Sequence, residues 1–361
     1  MKRIAIDARP LSDKLTGIGR YLNEVLREIF EQDRINQYYL YSSKPLLIDF
    51  SGYANVRVVH CNTKHKLIDF LISQTLFPIW CLRDKINVYW SPRHHLPMML
   101  SLNKTIKKVV TIHDIVWFKH PSTMNRSGLL LERMLFKPSV RQSNTIITLS
   151  KFTKKELINE LNVNENKITT TGAGSFVNEC SLQGNYKSHF FKSASIPYFL
   201  FVGTLEPRKN LHNIILAFHE FSKKNKEVNL VLVGKDGWGD LKISDLISRY
   251  NLEDRVEQCG FVSDDQLKQL YENCHTLLMP SIYEGYGFPA LEALALKKNV
   301  IVSKHSAIAE IHGDNILISE TDNVSIHEAL LQTLDIVPTN HAKIVSSWKI
   351  PAKLTLNNLL G

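Results

Sequence analysis

No stretch of this 361-residue chain stays apolar long enough to cross a bilayer. The nearest, Leu67 to Leu82, is broken by Asp69, Gln74 and Pro78 and reads as a partly buried helix, with contact to a membrane interface as the lesser alternative. The five cysteines (Cys61, Cys81, Cys180, Cys259, Cys274) are odd in number and scattered, with no C-x-x-C pair. That argues against a disulfide framework and makes a reducing cytosol the simplest setting. There is no G-x-x-x-x-G-K-[ST], which argues against a P-loop kinase. D-x-D, the pair that would hold a divalent ion on a nucleotide sugar, is missing, and so is H-x-x-x-H. The sequence therefore calls for no metal and no cofactor. Internal repeats and low-complexity tracts are also lacking. The opening MKRIAIDARP has charges at Asp7 and Arg9 before any long apolar run, so it reads as a strand, not a signal peptide.

What remains is a globular composition, 44% hydrophobic and 22% charged, in a chain long enough for two cores. Charge is unevenly placed. Up to residue 180, 26 Lys and Arg face 15 Asp and Glu, a net +11; beyond it, 18 face 20, a net −2. Such asymmetry suits an anionic partner on the first half: a phospholipid surface, a lipid diphosphate or nucleic acid. A generally basic proteome explains it equally well.

Short β-rich runs alternate with helical patterns nearly from end to end, as in parallel sheets covered by helices. The first set of strands comprises residues 3–7, 38–41, 56–60, 88–90, 109–113 and 145–149, with helices at 18–30 and 129–140 among them. Periodicity fades over 172–195. A second set comprises residues 198–202, 228–233, 255–259, 276–279, 300–303 and 315–318. The expected architecture is α/β with two Rossmann-like domains: residues 1–175 plus a returning helix at 345–361, a linker at 176–195, and residues 196–344. Ligands are expected at the carboxyl ends of strands and in the cleft between domains.

Four loops at strand ends could carry chemistry. The segment PSIYEGYGFPALEALA follows strand 276–279; Gly285 and Gly287 permit a tight turn, Pro289 suits the first turn of a helix, and free amides there would face an anion. Glu284 in the loop and Glu292 in the helix are spaced to grip two ends of one ligand. Taken alone, they read as a loop acid and a solvated helix acid beside a core stripe. FVGTLEPRKNL follows strand 198–202 and sets Arg208 and Lys209 before a helix, where they could neutralise a departing diphosphate. A basic helix start is otherwise odd, because the helix dipole disfavours cations there. LTGIGRYLNEVL puts Gly17 and Gly19 after the first strand, yet position 22 is Leu22, which excludes a dinucleotide fingerprint. VVTIHDIVWFKHP ends a strand with His113 and Asp114, a dipeptide that could simply cap it.

Together these residues resemble the retaining glycosyltransferases of family 4, which have the GT-B fold; E-G-Y-G-F-P-A-L-E is similar to their E-x7-E element. The resemblance implies that Glu284 lies by the donor sugar, that Glu292 binds the ribose hydroxyls, and that Tyr286, Gly287 and Phe288 contribute to the donor site between them. It implies an Arg and a Lys on the diphosphate, here Arg208 and Lys209, although the family often carries its Arg earlier, where this chain has Thr204. Gly17, with Gly19 beside it, would lie under the donor phosphates. His113 would contact the donor sugar, with Asp114 next to it. SSWKIPAKLTLNN resembles the family's closing helix, so the likeness spans nearly the entire chain. The E-P-R-K-N form is similar to a subgroup acting in bacterial polysaccharide and O-antigen assembly, often with GDP-mannose.

The expected reaction is transfer of a hexose, mannose from GDP-mannose being favoured, to a saccharide acceptor such as a lipid-linked oligosaccharide. Configuration would be retained, the leaving diphosphate taking the acceptor proton on the same face. The setting is cytoplasmic, with an anionic membrane surface as a candidate partner and no nucleic acid. Two alternatives stay open: a nucleotide-sugar epimerase on the same scaffold, and a non-catalytic anion or nucleic-acid binder.

Overall fold

Among the described residues the β-branched and aromatic runs form thirteen strands in two sheets, and every pairing of those strands is parallel. The computed structural model describes residues 1–63, 66–177, 197–239, 242–336, 341–342, 344 and 346–361. All but the first two positions of the expected linker, 176–195, lie outside the described residues. The chain divides into a first unit, residues 1–117, 126–174 and 347–361, and a second unit, residues 118–125 and 175–346. Residues 118–125, read from chain order as part of the first domain, cluster with the second. Trp238 shows one reason: its indole Nε1 donates to the Thr123 carbonyl at 2.9 Å.

The first unit contains β1 (Arg3–Asp7), α1 (Gly17–Gln32), β2 (Gln37–Ser42), β3 (Val56–His60), α2 (Lys66–Arg83), β4 (Val88–Ser91), β5 (Lys107–Ile112), α3 (Val116–Lys119), α4 (Arg126–Gln142), β6 (Thr145–Thr148), α5 (Lys151–Leu161) and β7 (Ile168–Thr170); the end of α3 belongs by contact to the second unit. Its sheet order is β3-β2-β1-β4-β5-β6-β7. The strand Ile168–Thr170 escapes the sequence reading because three residues carry no alternation. The second unit contains β8 (Tyr198–Val202), α6 (Leu211–Ser222), β9 (Asn229–Val233), α7 (Ile243–Arg249), β10 (Val256–Gly260), α8 (Asp264–Asn273), β11 (Thr276–Met279), α9 (Phe288–Ala295), β12 (Asn299–Ser303), β13 (Ile316–Ser319) and α10 (Asn323–Asp335), in sheet order β10-β9-β8-β11-β12-β13. The last helix, α11 (Lys349–Leu360), returns to the first unit, packs on α1 and buries Ala352 and Leu359.

Both faces of each sheet are covered, which is why central strands read as unbroken apolar runs. In the second unit Phe199, Phe201, Leu230 and Leu232 pack with Ile214, Phe218 and Phe221 of α6. Leu200, Val231, Leu277 and Met279 meet Ala290, Ala293 and Leu294 of α9 on the other side. In each order the direction of winding reverses once, between β1 and β4 and between β8 and β11. Loops leave the carboxyl ends of those neighbours in opposite directions and open a crevice, the place where such sheets bind ligands.

Candidate active site

Registers Phe199 to Thr276 and Leu200 to Leu277 hold β8 against β11, so the loops that follow them converge. The first contains Pro207–Lys209 as a single 3₁₀ turn, closed by Asn210 in the left-handed region at φ 63°. Arg208 and Lys209 are thus not in the first turn of α6, and the expected conflict with its dipole does not arise. Asn210 separates the two elements and fastens the loop, its side-chain amide donating to the carbonyls of Pro280 at 3.0 Å and Thr321 at 2.7 Å. The Ile282 amide adds a bond to the Arg208 carbonyl at 2.9 Å.

The three charged residues expected from the two motifs meet. Lys209 Nζ donates to Glu284 Oε2 at 2.5 Å, and Arg208 Nη1 donates to the same oxygen at 3.1 Å and to the Tyr283 carbonyl at 3.0 Å. Oε1 of Glu284 carries neither bond. Burial alone would raise the Glu284 carboxyl pKa, but the Lys209 and Arg208 charges outweigh it and hold the group at about 2. Glu284 is therefore an acceptor, not a proton donor, at neutral pH. The rest of the Arg208 fork goes to Glu206, Nη2 to Oε1 at 2.8 Å and Nε at 3.1 Å. Glu206, 6% exposed, orients the arginine; an acid two residues before a base in E-P-R-K-N is the sequence signal for that role.

Backbone geometry fixes the Glu284 loop. Its amide donates to the His305 carbonyl at 3.0 Å, and its carbonyl accepts from Ala307 at 3.1 Å. Gly287 caps α9 at φ +87°, where a Cβ would come within 2.7 Å of Met279 Cε and 3.0 Å of Ile308 Cγ1. Pro289 stands in the first turn, as expected. The Tyr286 ring meets Phe288 edge-on at 4.9 Å, and Phe288 meets Phe176 at the same distance. Glu292 is 3% exposed in the middle of α9, so it is not a solvated helix acid.

In the first unit α1 starts at Gly17, whose Cα has open space around it, whereas a Cβ on Gly19 would sit 2.6 Å from the Pro10 carbonyl oxygen. Gly19 is thus the glycine required by packing, and Gly17 leaves the helix start unobstructed. The β1 loop also holds a buried pair, with Arg9 Nη2 2.6 Å from Asp7 Oδ2 and Nε 2.8 Å from Oδ1. His113 donates from Nε2 to the Pro92 carbonyl at 2.8 Å. Its pKa is lowered to about 4, chiefly by burial, so the ring is neutral. The His113 amide donates to His94 Nε2 at 3.2 Å, and His94 Nδ1 faces Glu132 Oε1 at 3.1 Å. Burial opposes protonation of His94 and Glu132 favours it, with a net upward shift. The bond from His113 nonetheless requires an unprotonated Nε2, and the geometry assigns the neutral tautomer with Nδ1–H toward Glu132. Asp114 Oδ1 accepts from the Val116 amide at 3.1 Å and caps the following turn. His94 and Glu132, 38 residues apart, had no sequence signal beyond the His94-His95 pair after a strand.

A parallel-stranded sheet with a basic, carboxylate-braced loop beside a glycine-initiated helix is the equipment of an enzyme that handles a phosphorylated ligand. Residues 186–343 match the family model of glycosyl transferases group 1, and the two sheets have the GT-B architecture. Over 349 residues the chain is 27% identical to the O-antigen chain mannosyltransferase B of Escherichia coli, covering 92% of this chain and 90% of that one. To the O-antigen chain mannosyltransferase RfbU of Salmonella typhimurium it is 29% identical over 252 residues, 68% of this chain and 64% of that one. Among solved structures, sucrose-phosphate synthase from Thermosynechococcus elongatus matches with a TM-score of 0.73 at 17% identity, covering 100% of this chain and 94% of that one. WaaG, a glycosyltransferase involved in lipopolysaccharide biosynthesis, matches with a TM-score of 0.68 at 13% identity, covering 98% and 95%.

Proposed function

We propose that the chain is a retaining hexosyltransferase that moves mannose from GDP-mannose to a saccharide hydroxyl, the acceptor being a lipid-linked oligosaccharide of a bacterial O-antigen or related surface polysaccharide. The observation that carries this reading is the convergence of Arg208, Lys209 and Glu284 where β8 and β11 part. Two relatives named O-antigen chain mannosyltransferases support the sugar and the pathway class. A structural neighbour solved with UDP-glucose supports a nucleotide-sugar donor. Arg208 and Lys209 stabilise charge on the departing diphosphate, Glu284 accepts from a sugar hydroxyl through Oε1, and Glu292 holds the ribose. His113, neutral and rigidly held, offers the donor sugar a fixed surface. No metal or cofactor enters this scheme.

The partner surface follows from unit 1. Leu71, Ile79 and Leu82 of α2, Met98, Met99 and Leu102 of the adjoining 3₁₀ turn, and Leu130 and Met134 of α4 are all exposed on elements that pack together. Acids on these elements are already satisfied: Asp69 accepts from Ser43, and Glu132 is held by His94. Arg83 is paired with Asp84, and Lys104, Arg133, Lys137 and Arg141 are left as the charged fringe, a composition suited to an anionic leaflet and to a peripheral cytoplasmic location. No helix among the described residues is long and apolar enough to cross a membrane.

Transfer from GDP-[14C]mannose to a bacterial lipid extract is the test. Loss of label in Glu284→Ala and Arg208→Ala at unchanged circular dichroism supports the assignment, and wild-type rates in either folded variant oppose it. Interconversion of the free nucleotide sugar without an acceptor would favour an epimerase. Equal sedimentation with neutral and anionic vesicles would remove the membrane surface.

A further inference from the structure

The turn that follows β4 is held from three sides, yet its charged side chain is not. Ser91 Oγ donates to the Arg93 carbonyl at 3.1 Å and accepts from the Arg93 amide at 3.4 Å. His113 fixes the Pro92 carbonyl, and Glu132 fixes His94. The Arg93 guanidinium itself makes no hydrogen bond or ion pair to any described residue. Neighbouring carboxylates are committed elsewhere. Asp7 is gripped twice by Arg9, Asp69 accepts from Ser43, and Glu132 sits between His94 and His95. The fully buried Tyr89 hydroxyl, on the same strand and within the field of Asp7, Arg9 and Arg93, also lacks a partner among the described residues.

A guanidinium stays charged at neutral pH, and a half-buried charge that no carboxylate bonds is incompletely compensated in the free protein. Burial, with Arg9 adding to it, lowers the Arg93 pKa against the opposing pull of Asp7, Asp69 and Glu132, which act on it without bonding it. Its position decides what could compensate it. β1 and β4 are neighbours in register, Ile6 against Trp90, and they flank the reversal point of the first sheet, where the crevice opens at the carboxyl ends of the strands. An oxyanion entering that crevice would meet a planar two-pronged donor on a braced backbone, which suits phosphate.

We propose that Arg93 anchors a second anion subsite, in the first unit and separate from Arg208 and Lys209, that binds a phosphate group of one of the two substrates. The inference rests on the transferase reading, which supplies two sources of that chemistry: the diphosphate of the donor and the diphosphate anchor of a lipid-linked acceptor.

The test is calorimetry on the full chain, wild type against Arg93→Gln, with GDP as one probe and decyl diphosphate in saturating GDP as the other. A charge-assisted bond predicts a loss of about 10- to 100-fold. Loss for decyl diphosphate alone identifies the acceptor anchor, and loss for GDP alone identifies the donor diphosphate; either supports the subsite. Both affinities within about twofold of wild type overturn it. Thermal denaturation provides the second readout: R93Q is expected to melt no lower than wild type, because no bond within the fold is lost. A variant that melts markedly lower, or does not fold, also overturns the proposal by showing that Arg93 is structural. Wild-type transfer from a nucleotide sugar is measured alongside, so failure of the subsite is distinguished from failure of the transferase reading.

Discussion

Replacing Glu284 by Gln removes one charge from a group of four, Glu206, Arg208, Lys209 and Glu284, that balances in the free protein. Burial of Glu284 acts against its ionisation, but the two cations prevail and bring its pKa from 4.5 to about 2. At about 1.4 kcal/mol per unit this amounts to about 3 kcal/mol in favour of the carboxylate, the lower end of the ~3–5 kcal/mol lost when a buried pair is broken. Lys209, with a side chain 10% exposed, is left facing at best a neutral amide oxygen in place of the carboxylate oxygen it bonds most closely. At about 2–4 °C per kcal/mol the variant should melt roughly 6–12 °C lower. A diphosphate brings back the missing negative charge, so GDP should raise the melting temperature of E284Q by more than it raises that of wild type, while sugar transfer falls at least about 100-fold. Scanning fluorimetry with and without GDP, beside a radiolabel transfer assay, reads all three. An unchanged melting temperature and an equal GDP shift in both proteins would refute the claim that Glu284 occupies the cations until the diphosphate arrives.

Gly287→Ala places a side chain at φ +87° against Met279 and Ile308, and should cost about 1–2 kcal/mol in urea denaturation and lower kcat; no change in either would show that the loop adapts. Glu132→Ala removes the partner of His94 and loosens the His113 backbone, so kcat should fall about 10-fold with GDP affinity intact; unchanged kcat would count against this chain of contacts. His113 has a folded pKa of about 4, below the unfolded value near 6.5, so the unfolded chain takes up the proton first as pH falls. Its contribution is complete above about pH 6.5 and is lost toward about pH 4, at most about 3 kcal/mol. The stability gap between wild type and His113→Gln should therefore shrink from pH 7 to pH 4.5, a comparison in which the opposite shift of His94 largely cancels; a gap constant with pH would contradict it.

Much of the fold was legible because strands buried on both faces announce themselves as apolar runs: Arg3–Asp7, Tyr198–Val202 and Thr276–Met279 coincide with the residues read from sequence. The site was legible where one motif spans a strand, loop and helix, as from Thr276 to Glu292. Contacts made through tertiary pairing were not. Glu132 reaches His94 from another helix, and residues 118–125 follow a strand of one sheet yet pack with the other unit. Chain order carries no signal of either. Glu206 lay in plain view, but only the geometry of the Arg208 fork gives it a role.

The most direct test of the account is a calorimetric panel of GDP-mannose, GDP-fucose, UDP-glucose and UDP-N-acetylglucosamine against wild type and Arg208→Ala. Binding of GDP-mannose at least about 10-fold tighter than the other three, and weakened at least about 10-fold in R208A, is the predicted result. Equal affinity for all four would contradict the donor assignment, and undiminished binding to R208A would contradict the site.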